Sequence, residues 1–358
     1  MSRRVTLQTI ADQLAVSRTT VSNAYNRPDQ LTAELRRKIL ETADELGYGG
    51  PDAAARMLRT GTTRTIGLLF TEDLRYVFND PNTTLFMRGV AETSALAGTG
   101  LTLLPVPAGM AIEDTALGAT PADGYLVFSA ADAHPAVRAV LRHGVPVVIV
   151  DEPDLGTATS FVGIDDRQGG RLAADHLTAL GHRQVAVLVH RLGPEARRRP
   201  VTAEQLGSAD LRIVRERVGG LFDGLIAAGF DTAAVAIWEA GDNDPDVGRD
   251  ATTELLTARP ETTALFCTTD QLAIGATQAA AALGRDVPTD LSVVGFDDVP
   301  RAATWKPALT TIRQPLAEKG RVAAELLLDQ VRTGVRRRVD LPIELIVRQS
   351  SAPPPVRN

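Results

Sequence analysis

A chain of 358 residues is longer than one ordinary core and predicts two or three domains. Its 44% hydrophobic and 23% charged residues are the balance of a folded globular protein, and no apolar run approaches the roughly 18 residues of a membrane span. A net charge of -6 argues against a uniformly basic nucleic-acid binder, but residues 1–60 carry nine Lys/Arg against seven Asp/Glu, leaving 29 against 37 in the rest. A slightly basic head on an acidic body is the pattern of a DNA-binding domain fused to a sensor.

Arg3 and Arg4 are followed by no apolar stretch, so no secretory signal is expected. The single cysteine, Cys267, excludes an internal disulfide framework and fits a reducing, cytoplasmic setting; within Ala264-Leu265-Phe266-Cys267 it reads as a packing residue.

Helical spacing first appears at Leu7, Ile10, Ala11 and Leu14, with Thr6 as a plausible N-cap. Ala15-Val16 form a turn, Ser17 caps a second helix, and Val21 and Ala24 supply its buried stripe. That leaves Arg18, Thr19, Ser22 and Asn23 facing outward. Thr32 caps a third helix with Leu35, Ile39, Ala43 and Leu46 inward and Gly47 just past its end. Three short helices with a tight first turn match the helix-turn-helix plan, whose second helix enters the major groove.

The segments Val5–Asp12, Val16–Ser22 and Leu46-Gly47-Tyr48 closely resemble the head of the LacI/GalR (lactose-repressor) family, without a gap from Val5 to Tyr48. The resemblance implies base readers at Arg18, Thr19 and Asn23. Arg suits a guanine edge, and Asn suits adenine or a water-mediated contact. It places Thr6, Ser17, Thr20, Ser22 and Asn26 on phosphates, which set register. Pro51 through Leu58 reads as a short helix with Pro at its start. In the family this is a hinge helix, with Ala55 and Leu58 at the minor groove and Leu58 as the wedge at the operator's centre. Gly49-Gly50 puts two residues before Pro51 where the family commonly has one.

After Gly61, apolar strand-length runs at 65–70, 124–128, 145–150, 185–189, 264–267 and 292–296 alternate with amphipathic helical segments such as 167–180, 218–228, 247–258 and 270–283. Such alternation predicts parallel sheets covered on both faces, with ligands beyond the C-terminal strand ends. Asp151, Gly181-His182, Arg217–Gly220, Asp270–Ala276, Val294–Asp298 and Pro307–Ile312 resemble the family's two-lobe, periplasmic-binding-protein-like body. The expected fold is therefore α/β: an all-α helix-turn-helix head (1–50), a hinge and linker (51–62), a two-lobe body with parallel sheets (63–350) and a tail (351–358). Strand exchanges between lobes are expected near 163, 300 and 338, giving an N-lobe of 63–163 and 312–336 and a C-lobe of 164–298 and 338–350.

By motif position Asp151, Arg217 and Asp297 fall where the family contacts its effector, and an Arg with two carboxylates suits a polyhydroxylated ligand. Thr269 replaces an amide-bearing residue of sugar-sensing relatives, and Asn243 stands roughly where some carry an aromatic. Tyr76 and Phe78 either supply the missing aromatic surface or pack on their own lobe. Asp270 and Asp298 read as caps. The stretch between His190 and Arg217, with Arg197-Arg198-Arg199, is longer than usual in the family: a solvated excursion, a lid, or a patch for a phosphorylated effector.

No P-loop, H-E-x-x-H or G-x-S-x-G occurs, and the five histidines lack metal-ligand spacing, so neither an enzyme nor a cofactor is expected. An exported sugar-binding protein would share the body but lack the head. The sequence thus predicts a cytoplasmic, homodimeric repressor. It would bind a pseudo-palindromic DNA operator under control of a small effector, sugar-like or alternatively purine or phosphorylated, with no membrane association. No leucine heptad at the C-terminus indicates a coiled-coil tetramer.

Overall fold

Three short helices open the chain in the computed structural model, which describes residues 5–50, 57, 61–112 and 115–355. Residues 1–63 and 64–358 form two separate compact units. In the first, α1 (Leu7–Leu14) begins at a reciprocal cap: Thr6 Oγ1 accepts from the Thr9 amide and Thr9 Oγ1 from the Thr6 amide, each at 3.3 Å. Ala15, at φ 55°, reverses the chain so that Ser17 can open α2 (Arg18–Asn26), its Oγ accepting from Thr20 N at 3.0 Å. Thr32 caps α3 (Ala33–Glu45) in the same way. Ile10, Ala11, Val21, Ala24, Ile39 and Ala43 bury themselves between the three, and no other core is needed to fix α2.

The second unit has two lobes. The first holds β1 (Thr65–Phe70), α4 (Leu74–Asn79), α5 (Pro81–Leu96), β2 (Gly100–Pro105), β3 (Gly124–Phe128), α6 (Pro135–Arg142), β4 (Val147–Val150) and β5 (Ser160–Ile164). Next come α7 (Asp166–Ala179), β6 (Val185–Val189), β7 (Arg199–Val201), α8 (Ala203–Gly207), α9 (Arg212–Ala227), β8 (Ala236–Glu239) and α10 (Pro245–Ala258). The second lobe continues with β9 (Ala264–Cys267), α11 (Asp270–Ala282), β10 (Ser292–Asp297), α12 (Pro300–Thr304) and β11 (Thr310–Arg313). The chain then returns through α13 (Leu316–Thr333) and β12 (Arg338–Leu341) to the first lobe, and ends with β13 (Glu344–Ile346) in the second.

Among the described residues the sheets run β12-β5-β4-β3-β1-β2 and β13-β11-β10-β9-β6-β8-β7. Pairing is parallel except at the edges, where β7 meets β8 and β13 meets β11 antiparallel. The strand exchanges differ from expectation at two of three places. The first follows Ile164, close to 163. The second follows Arg313 rather than 300, because Thr310–Arg313 pair with β10 in the second sheet. The third follows Leu341 rather than 338, because Arg338–Leu341 pair with β5. β12 is a half-exposed edge strand, so its sequence lacks the apolar run that marks the inner strands.

Helix pairs cover each sheet at contact distance. A Cβ on Gly320 of α13 would run into the carbonyl oxygen of Phe86 on α5, and one on Gly170 of α7 into that of Arg217 on α9. Either methyl must push the helices apart. Gly320→Ala and Gly170→Ala are each expected to destabilise the body by about 1–3 kcal/mol or more, despite their better helix propensity. Urea unfolding of each variant checks this; unchanged midpoints would mean the helices do not approach that closely.

Candidate functional site

On the head, α2 carries one charged side chain, Arg18. Arg18 and Thr19 are exposed in its first turn; Asn23 lies one turn on, half-buried, with Nδ2 donating to Gln30 Oε1 at 3.1 Å. The small polar groups beside them hold one another. Ser17 Oγ and Thr20 Oγ1 are 2.8 Å apart, and Asn26 Nδ2 donates to the carbonyl and hydroxyl of Ser22 at 2.9 and 3.2 Å. Thr6, Ser17 and Thr32 sit at helix N-termini, where partial positive charge and free amides favour an anion. The face offers one cation for a base edge, amides for others, and hydroxyls for a phosphate.

In the body the two sheets direct their C-terminal strand ends at one cleft. Asp151 directly follows β4 and Asp297 ends β10, both in the left-handed region at φ 65° and 114°, which turns each carboxylate off its strand. The cleft is small, about 80 Å³. Its first-lobe wall sets Glu72, Asp80, Asn82, Asp151 and Glu152, rich in acceptors, beside Tyr76, Ser129 and the apolar Phe70, Val77 and Phe128. Its second-lobe wall presents His190, Arg191, Arg217, Asn243 and Thr269 with the apolar Leu211 and Ile213.

Arg217 sits at the cleft's base, nearly fully buried. Its Nε donates to Asp166 Oδ1 at 2.8 Å and Nη1 to the Thr268 carbonyl at 2.7 Å, while the guanidinium lies 3.7 Å from the centre of the Phe296 ring. Asp297 stands 3.6 Å from Arg217 and accepts from Gln314 Nε2 at 2.6 Å. Burial pushes the Asp297 carboxyl up to about 7, against the opposing pull of Arg217 and Gln314. Across from it Lys319, wholly buried, donates to Asp151 Oδ1 at 2.6 Å and to Gln314.

The lobes are joined across this space. Glu72 pairs with Arg191, Asn243 Nδ2 donates to Asp80 Oδ1 at 3.3 Å, and the Ile213 amide donates to Glu152 Oε2 at 3.1 Å. Arg212 donates to the Asp151 carbonyl at 3.0 Å and Arg215 pairs with Asp132 at 2.8 Å. Burial lifts Glu152 to about 7 and drops His190 to about 3, where Arg191 and Arg217 add to the drop. His190 is therefore neutral at physiological pH.

A model of a periplasmic binding protein-like domain matches residues 174–351. Over 355 residues and 98% of both chains, the sequence is 42% identical to an HTH-type transcriptional regulator of Mycobacterium tuberculosis. The chain belongs to the LacI/GalR family of transcriptional regulators. Among solved structures, the regulator superposes on the lac repressor dimer bound to operator and the anti-inducer ONPF. The TM-score is 0.80 at 26% identity, covering 98% of this chain and 100% of that one. It also superposes on the CelR–cellobiose complex with a TM-score of 0.70 at 30% identity, covering 97% and 100%.

Of the body residues anticipated from this LacI-family sequence, Asp151, Arg217, Thr269, Asn243 and Tyr76 line the cleft. Two do not. Asp297 lies behind Arg217, outside the lining, and Phe78, 56% exposed, follows Tyr76 on α4 but points away from it. Thr269 is the N-cap of α11 and donates to Asn243 Oδ1 at 2.6 Å. Asp270 is structural, as its position suggested: it accepts from the Val299 amide and the Thr311 hydroxyl. Asp298 pairs with Arg313 and Arg348.

The Arg-rich stretch is no open phosphate patch. Arg197 pairs with Glu195, Arg198 with Asp250 and Glu254, and Arg199 with the buried Glu239, which seats β7 on the sheet edge. Ala55 and Leu58 lie outside the described residues. Glu152 and Arg191 line the cleft from C-terminal strand ends, where ligands were expected, whereas Asp80, Asn82 and Lys319 line or brace it unanticipated.

No described helix is long and apolar enough to cross a membrane, and no described cluster of His, Cys, Asp and Glu could hold a metal.

Two predictions concern this site. Lys319→Met strands Asp151 as a buried, unpaired carboxylate and is expected to cost about 3–5 kcal/mol. A double mutant with Asp151→Asn should recover part of that loss, and additive losses by chemical unfolding would deny the pairing. Glu152 holds its proton in the folded protein up to about pH 7 and in the unfolded chain only to about its ordinary 4.5. The folded state thus binds more protons in that window, and stability falls as pH rises through it. Thermal unfolding of Glu152→Gln should show a flatter pH dependence between 5 and 7 than wild type; parallel curves would contradict it.

Proposed function

We propose that the protein is a cytoplasmic transcriptional repressor acting by binding alone, with a sugar or sugar-like effector held between the lobes of its body. One observation carries this reading: acceptors on one wall of the cleft face donors on the other, and a hydroxyl group satisfies both. The relatives agree with it, one being solved with cellobiose and another as a dimer on its operator.

A homodimer presents two heads to a pseudo-palindromic operator, Arg18, Thr19 and Asn23 reading base edges while Thr6, Ser17, Thr20, Ser22 and Asn26 set register on phosphates. A cleft of about 80 Å³ is well below the roughly 300 Å³ of an ordinary ligand pocket. A sugar therefore enters by parting the lobes and replacing contacts such as Asn243 to Asp80. Operator affinity shifts by the effector's difference in affinity between the two lobe arrangements.

Operator selection from a random DNA pool, followed by binding titrations, tests the head. Arg18→Ala should relax preference at one base pair per half-site at a cost of about 1–3 kcal/mol, leaving other positions intact. A uniform loss across all sequences would make Arg18 a phosphate contact instead.

A further inference from the structure

We propose that Asp80 and Asn82 make the first-lobe wall an acceptor face that selects an uncharged polyhydroxylated ligand and rejects phosphorylated or carboxylated ones. This rests on the effector reading of the cleft and adds the ligand's charge class and two residues that decide it.

The two side chains flank the start of α5, which Pro81 begins. The N-terminus of a helix ordinarily attracts an anion. Here Asp80, its N-cap, already occupies that place: Oδ2 accepts from the Thr83 amide at 2.9 Å and its hydroxyl at 2.6 Å. The other oxygen, Oδ1, takes the long 3.3 Å bond from Asn243 on the opposite wall of the cleft that Asp80 lines. Asn82 Oδ1, in the same wall, is buried with no donor among the described residues. A buried acceptor left unmet costs about 1–3 kcal/mol, so the wall gains from a ligand that brings donors.

The cations of the site do not welcome an anion either. Arg191, Arg217 and Lys319 each already face a carboxylate of the protein: Glu72, Asp166 and Asp151. Asp80 has no cation partner among the described residues, so a phosphate here would meet a carboxylate that no cation offsets. His190 adds no positive charge, and the arginines of 197–199 are occupied elsewhere. A hydroxyl can donate to Asp80 and Asn82 and accept from Arg191 or Asn243. A phosphate dianion has no proton to donate.

Matched pairs of ligands test this on the full-length protein: D-ribose with D-ribose 5-phosphate, and D-glucose and cellobiose with D-glucose 6-phosphate, by calorimetric titration. Wild type is expected to bind an uncharged member at least tenfold more tightly than its phosphorylated partner. Asp80→Asn keeps the helix cap, since Asn caps as well as Asp. It should lose tenfold or more toward the uncharged ligand, the scale of one charged hydrogen bond, while the gap between partners narrows. Asn82→Ala, which removes no cap, should also weaken the uncharged ligand several-fold without lowering the unliganded melting temperature.

A wild-type preference for the phosphorylated members, or variants that bind both partners as wild type does, would overturn the charge assignment alone. No response to any of these sugars would remove the effector reading, and this inference with it.

Discussion

The buried guanidinium of Arg217 constrains everything around the cleft. Taking a full charge out of water costs several kcal/mol unless opposite charge and hydrogen-bond acceptors replace the solvent. Asp166 from α7, the Thr268 carbonyl after β9 and the Phe296 face on β10 supply that replacement, with Asp297 at slightly longer range. These groups come from three separate elements, so a correctly placed Arg217 requires that all three be assembled. Gly170 lets α7 approach α9 closely enough for Asp166 to reach it. Asp297 is better understood as part of this support than as a ligand contact.

Lys319 and Gln314 extend the network between the lobes. Both belong to the stretch where the chain leaves β11 and re-enters the first lobe. Gln314 accepts from Lys319 and donates to Asp297, while Lys319 donates to Asp151. The strand-end carboxylates of the two lobes are thus joined through one lysine and one amide at a crossover. Crossovers are natural hinges, and this one couples the angle between lobes to the polar chemistry of the cleft. The long segment between His190 and Arg217 adds a second coupling. Its ends line the cleft and its return leg, at Arg212, Ile213 and Arg215, bonds to the opposite lobe, while β7 anchors its middle to the sheet edge. Closure is therefore held by charge pairs and amides at the rim, which a ligand can exchange for its own groups without disturbing either apolar core.

The legible parts of the sequence were those where one local rule decides the outcome. Thr6, Ser17 and Thr32 announce caps, Val21 and Ala24 mark a buried stripe, and six of the inner strands are runs that only a doubly covered sheet explains. β12 was assigned to the wrong lobe because an edge strand, wet on one side, carries no such run. Lys319 was invisible for a different reason. Within α13 it looks like a lysine on a solvated helix face, and only the return crossover turns it to a buried carboxylate 168 positions away. Asp80 and Asn82 sit at an irregular junction of two helices, where sequence reads only as a cap. Family likeness carried Asp151 and Arg217 to the right place and Asp297 one layer too deep. It also led to Asn243 and Thr269, which line the cleft and bond to each other in place of the family's usual groups.

The charge distribution bears on how such a protein finds a site without adhering everywhere. Binding to DNA in general grows with the number of phosphates neutralised by cations. On the head, Arg37 is tied to Glu41 and Arg36 donates to the Ala24 carbonyl. Hydroxyls, amides and helix N-termini can fix a phosphate's position while releasing few counterions. The acidic body repels the duplex and leaves attraction to the head. On the proposed mechanism, a modest change in the spacing of two heads moves the regulator off its operator with no change in any DNA contact.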